Sequence, residues 1–130
     1  MKKILKIAVL FLLCQSFQCS KSDNVPTTVV PTAEILAQKK ENIQNYINSF
    51  SCSATVGCSF IAIGVKPCGG PWEYLVYSNN VNTTQLQQMV SEYNALNIEF
   101  NTVTGAGSDC MIVSPPAKVG CVNGSCGIIN

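Results

Sequence analysis

The sequence predicts an α+β domain: two amphipathic helices packed on a small antiparallel sheet of about three strands, stapled by disulfides. Three observations lead there. Two stretches repeat apolar residues at helical spacing. The segments between and after them are β-prone and broken by glycine and proline. Six cysteines flank those β-prone segments and avoid both helices. A chain of 130 residues is the size of one domain. Histidine is absent and all eight basic residues are lysines, which excludes a serine–histidine triad, a histidine-ligated metal and an arginine clamp for phosphate or nucleic acid.

Residues 1–18 have the organisation of an export signal. Lys2, Lys3 and Lys6 form a basic start, and Ile7 to Leu13 is an unbroken apolar run of seven residues. A helix crossing about 30 Å of hydrocarbon needs roughly 20 residues, so this run is a signal core and not a span. The next residues, Ser16-Phe17-Gln18-Cys19 followed by Ser20-Lys21-Ser22-Asp23-Asn24, resemble the leader of bacterial lipoproteins. Ser16 and Gln18 depart from the aliphatic and small residues usual at those places. The resemblance implies that Cys19 is acylated and becomes the first residue after cleavage. Residues 19–31 then form a lipidated N-terminus and a flexible, proline-punctuated linker, with residues 32–130 as the domain. Two or three acyl chains anchor firmly, since each buried methylene contributes about 0.8 kcal/mol. The membrane is thus the expected partner, reached through Cys19. The expected location is the bacterial cell envelope, the alternative being a soluble secreted or periplasmic protein. Loss of residues 1–18 leaves five lysines against seven acids, a side-chain charge of −2, which gives no reason to bind nucleic acid.

Thr32 is a predicted N-cap, with Glu34 near the positive end of the first helix. Ile35, Leu36, Ile43, Tyr46, Ile47 and Phe50 recur at helical spacing, and Gln38, Lys39, Lys40, Glu41 and Asn45 take the other face. The second helix is announced by Asn82 and Gln85, spaced as in a capping box. Leu86, Met89, Val90, Tyr93, Leu96 and Phe100 follow, and Gly105 or Gly107 is free to end it. Between the helices, residues 60–63 and 72–77 read as strands of a wide hairpin joined by the loop 66–71. In that reading Trp72, Tyr74 and Val76 share the inward face and pack on the helices. Residues 110–113 offer a third strand, and residues 120–127 a cysteine-bounded turn around Asn123-Gly124.

Past the leader stand Cys52, Cys58, Cys68, Cys110, Cys121 and Cys126. An even set in an exported chain of this size reads as three disulfides, and the spacing leaves all fifteen pairings open. Bridges from the 52–68 segment to the 110–126 segment would close loops of roughly 40 to 70 residues, each contributing about 2–4 kcal/mol. A thiolate zinc site would use close CxxC pairs, which the chain lacks, so no metal or other cofactor is expected.

Acid–base chemistry has few places to stand. Glu34, Glu41, Glu92 and Glu99 fall on helix faces, and a hydrolase would have to use Glu73 or Asp109. Binding has better material. Residues 64–74 gather the only tryptophan with two prolines and three glycines around Cys68, which makes Trp72 and Tyr74 candidate contacts. A second loop, residues 114–121, presents Lys118 on a proline-stiffened segment, the design of a small trypsin-directed serine-protease inhibitor. Lys66 suits that role badly because Pro67 follows it. The stretch from Cys58 to Cys126, with its CGGPWEYLVYS core, resembles small cysteine-rich domains of exported bacterial proteins, a likeness that transfers no site. The expected function is therefore a non-enzymatic envelope binding module for a protein or small-molecule ligand. The protease inhibitor and the hydrolase are its alternatives.

Overall fold

Helix α1, Ala33–Asn48, begins directly after Thr32, whose backbone is extended and whose hydroxyl accepts the free N–H of Ile35 at 3.3 Å. A computed structural model describes residues 30–129. The expected leader, Cys19 and most of the linker lie outside that range. Strands β1, Cys58–Ile63, and β2, Glu73–Ser78, pair antiparallel from Cys58 opposite Ser78 to Ile63 opposite Glu73. Helix α2, Thr83–Thr104, is capped by Asn82, whose side chain accepts from Gln85 N–H at 3.1 Å, and ends at Gly105 with φ +63°. The Gln85 side chain does not complete a capping box; it accepts instead from the Tyr46 hydroxyl at 3.1 Å, tying the two helices together. Strands β3, Val119–Val122, and β4, Ser125–Ile128, form a second antiparallel hairpin. Asn123 (φ +51°) and Gly124 (φ +82°) supply the left-handed pair that a two-residue turn requires.

Among the described residues the architecture is α+β, with two helices, two small two-stranded sheets and three disulfides. The core is one cluster: Ile43 and Ile47 of α1, Ile63 and Leu75 of the first hairpin, Val81, and Leu86 and Val90 of α2. Among the described residues no helix is long and apolar enough to cross a membrane.

Two expectations are corrected. Residues 110–113 form no strand, and the third and fourth strands lie further on, at β3 and β4. The reason is local: Cys110 sits at φ +54°, outside the extended region, and Pro115 and Pro116 follow with no N–H to offer a ladder. The first hairpin also turns the other way up. Its inward residues are Ile61, Ile63, Leu75 and Tyr77. Phe60 and Tyr74 lie on the opposite face and meet edge to face, centroids 5.6 Å apart. Trp72 precedes β2, and of the two alternating sets in the strand the helices cover Leu75 and Tyr77, which leaves Tyr74 and Val76 on the other face.

Candidate functional site

The loop that closes the first hairpin is built around Lys66. Its backbone folds on itself, with Lys66 N–H donating to Gly70 at 2.9 Å and Gly69 N–H donating to Lys66 at 2.8 Å. The side chain points inward and is only 5% exposed. A buried ammonium needs its three donors answered, and two of them are. Lys66 Nζ donates to Asp109 Oδ1 at 2.9 Å and to the carbonyl of Met111 at 2.9 Å. The Trp72 ring lies 5.2 Å from the same nitrogen, presenting its negative face to the charge. The Cys68–Cys110 disulfide then locks the two loops side by side. Asp109 is held below its ordinary value of 3.8, first by the hydrogen bond from Lys66 and next by the N–H of Met111.

Trp72 packs closely on Gly64, where an added Cβ would stand 2.6 Å from the indole Cδ1 and the backbone has φ +78°, so a side chain there is excluded. Helix α2 holds the other wall with three asparagines. Asn94 Oδ1 accepts from Gly64 N–H at 2.8 Å, and Asn97 Oδ1 accepts from Val65 N–H at 2.7 Å. Asn101 Nδ2 donates to the Val65 carbonyl at 2.8 Å. Positions 94, 97 and 101 stand on one helical stripe, so three polar residues replace sheet partners for a backbone that has left the ladder. Asn97 is itself buried. Replacing it with alanine strands the Val65 N–H and is expected to cost about 1–3 kcal/mol. Urea denaturation checks this, and an unchanged midpoint would show that the clamp contributes nothing.

The consequence is an unusual surface. From Cys110 onward the chain runs irregularly to Lys118, and there Met111 is 67% exposed and Ile112 92% exposed. The Met111 backbone is fixed on both sides, its N–H donating to Asp109 Oδ1 and its carbonyl accepting from Lys66 Nζ, and Ile112 follows it directly. The Lys66 loop also borders a shallow groove of about 470 Å³, formed by Val65, Pro67 and Gly69 against Ile98 and Thr102 of α2.

The remaining sequence-predicted residues lie apart from this cluster. Trp72 is 39% exposed and belongs to the loop, whereas Tyr74 is partly buried against Phe60 on the strand. Glu73 forms an ion pair with Lys40 of α1, while Asp109 is held by Lys66, so each carboxylate has its own lysine. Lys118 is exposed, but its carbonyl accepts from Ile129 N–H at 3.2 Å, which places the Lys118–Val119 bond at the mouth of a paired strand. The six cysteines pair as Cys52–Cys121, Cys58–Cys126 and Cys68–Cys110, each joining the early segment to the late one. The sulfurs of Cys52, Cys58 and Cys126 lie within 4.8 Å of one another, and each is bonded in a disulfide. Sequence reasoning missed Lys66 as the organising residue and missed the asparagine clamp. The signal for the clamp was present, as an Asn repeat at positions 94, 97 and 101. Compared with protein families, curated proteins and solved structures, the chain matches none.

Proposed function

We propose that this chain is an exported domain, lipid-anchored at Cys19 in a bacterial cell envelope, that works as a non-enzymatic binding module. Its contact surface is the pinned segment Met111-Ile112 beside the Trp72 loop. The observation that carries the reading is the pairing of exposure with rigidity. Ile112 is 92% exposed, while the residue before it is held through its carbonyl by a buried lysine and the residue before that by a disulfide. An apolar side chain facing water on a fixed backbone loses little entropy when a partner covers it. Three disulfides support export, because such bridges persist in oxidising compartments. The partner that fits is a protein presenting an apolar pocket, since the two side chains offer area and no charge.

The test uses the full chain in the cells that make it. A photo-crosslinking amino acid at position 112 is expected to give one discrete adduct, and the same group at Glu41, on the exposed face of α1, none. Equal labelling from both positions, or none from 112, overturns the binding reading. The intact mass of the recovered protein separately checks the anchor, through acyl mass on Cys19 as first residue. A plain soluble N-terminus would remove the anchor and leave the binding surface standing.

A further inference from the structure

At the opposite end of the first hairpin, where β1 begins and β2 ends, a second concavity of about 410 Å³ opens. Its walls are the residues after α1, the end of β2 and the β3–β4 turn. We infer that this cleft binds a neutral oligosaccharide.

Phe50 and Tyr77 pack against the core and leave part of each ring at the cleft, and Asn48, Ser49, Asn123 and Ser125 supply exposed amides and hydroxyls. No lysine, aspartate or glutamate is among the lining residues. A charged ligand entering such a cleft would give up hydration with no counter-charge to replace it. A ligand that is uncharged, rich in hydroxyls and flat on one face matches instead. Amide and hydroxyl side chains both donate and accept, as sugar hydroxyls do, and aromatic faces suit the C–H side of a pyranose ring.

The walls are also fixed in place. Cys52 N–H donates to the Gly124 carbonyl at 3.0 Å, joining the segment after α1 to the turn. The Ser78 hydroxyl and the Asn80 amide both donate to the Ser51 carbonyl, at 2.8 and 3.2 Å. Two bridges, Cys52–Cys121 and Cys58–Cys126, stand behind the cleft. Weak sugar–protein hydrogen bonds yield useful affinity only where the protein is ordered beforehand, and this end of the molecule is the most heavily cross-linked. The site is separate from the Met111-Ile112 surface, so either can fail without the other.

The experiment is a titration of the oxidised, isotope-labelled protein, followed by amide shifts. The probes are a β-1,4-linked N-acetylglucosamine tetramer, maltotetraose and blocked tetraglycine, each to about 10 mM, a range that detects millimolar dissociation constants. Saturable shifts from at least one sugar are expected at residues 49–51 and 123–125. Asn123→Gly preserves the positive φ and removes the side chain, and is expected to weaken binding about fivefold. Phe50→Leu keeps apolar bulk, removes the ring and is expected to weaken it similarly. Absence of shifts with both sugars, shifts that map elsewhere, equal shifts with tetraglycine, or unchanged affinity in both variants each overturns the inference.

Discussion

Removing the Cys52–Cys121 bridge by the double substitution Cys52→Ala and Cys121→Ala is expected to lower stability by about 4 kcal/mol. The bridge spans a sequence separation of 69 residues, and a crosslink of that reach removes much of the freedom of the unfolded chain. Small domains are stable by only about 5–15 kcal/mol in total, so this is a large share. Cys52 is also buried, and its replacement takes contacts from the region where α1, β2 and the β3–β4 turn converge. The Cys68–Cys110 pair closes a shorter separation of 42 residues and is expected to cost slightly less by the same argument. Its characteristic effect is local, since it frees Met111 and Ile112 from the loop of Lys66 while the helical core stays. Urea denaturation of both double variants, with hydrogen exchange at Met111, separates the two outcomes. A midpoint unchanged by loss of Cys52–Cys121 would remove the bridges from the account of stability.

Ile43→Ala is expected to cost about 2–5 kcal/mol, the range for emptying a well-packed site. Ile43 is 1% exposed and stands among Ile47, Ile63, Leu75, Leu86 and Val90, so the cavity has walls from both helices and the first hairpin. Ile112→Ala makes the matching control. It removes the same atoms from a side chain already in water, and is expected to change stability by less than about 0.5 kcal/mol. Thermal or urea denaturation of the two variants reads this contrast directly. Equal losses would mean that Ile112 is covered in the folded chain, and the proposed contact surface would go with it.

Much of the scaffold was legible because its signals are local. Thr32 and Asn82 carry the capping chemistry in their own side chains, and both caps form. Gly105 is one of few residues free to take φ +63°, and it ends α2. The apolar repeat in each helix needs only the helical period to be read. The β3–β4 hairpin was half legible: Asn123-Gly124 marked the turn, while the strands on either side are four residues each and too short to show a pattern. The up-down sense of the first hairpin was not legible. Aromatic and aliphatic side chains occupy both of its faces, so alternation does not tell inside from outside, and the covering helices decide.

The candidate site divides along the same line. Sequence marked the loop of Cys68 and Trp72 by composition, and marked Asp109 as one of two acids a hydrolase would have to use. It read Lys66 only as a lysine before a proline. What makes Lys66 central is burial between two segments some forty residues apart, with Asp109 and the Met111 carbonyl brought to it by the Cys68–Cys110 bridge. By itself the sequence determined the helices, their caps and the requirement for three disulfides, because each follows from neighbours along the chain. Only the tertiary structure decided which cysteines pair, which sheet face is inward and which lysine is buried. Those outcomes depend on segments far apart in the chain meeting in space, and periodicity carries no record of that.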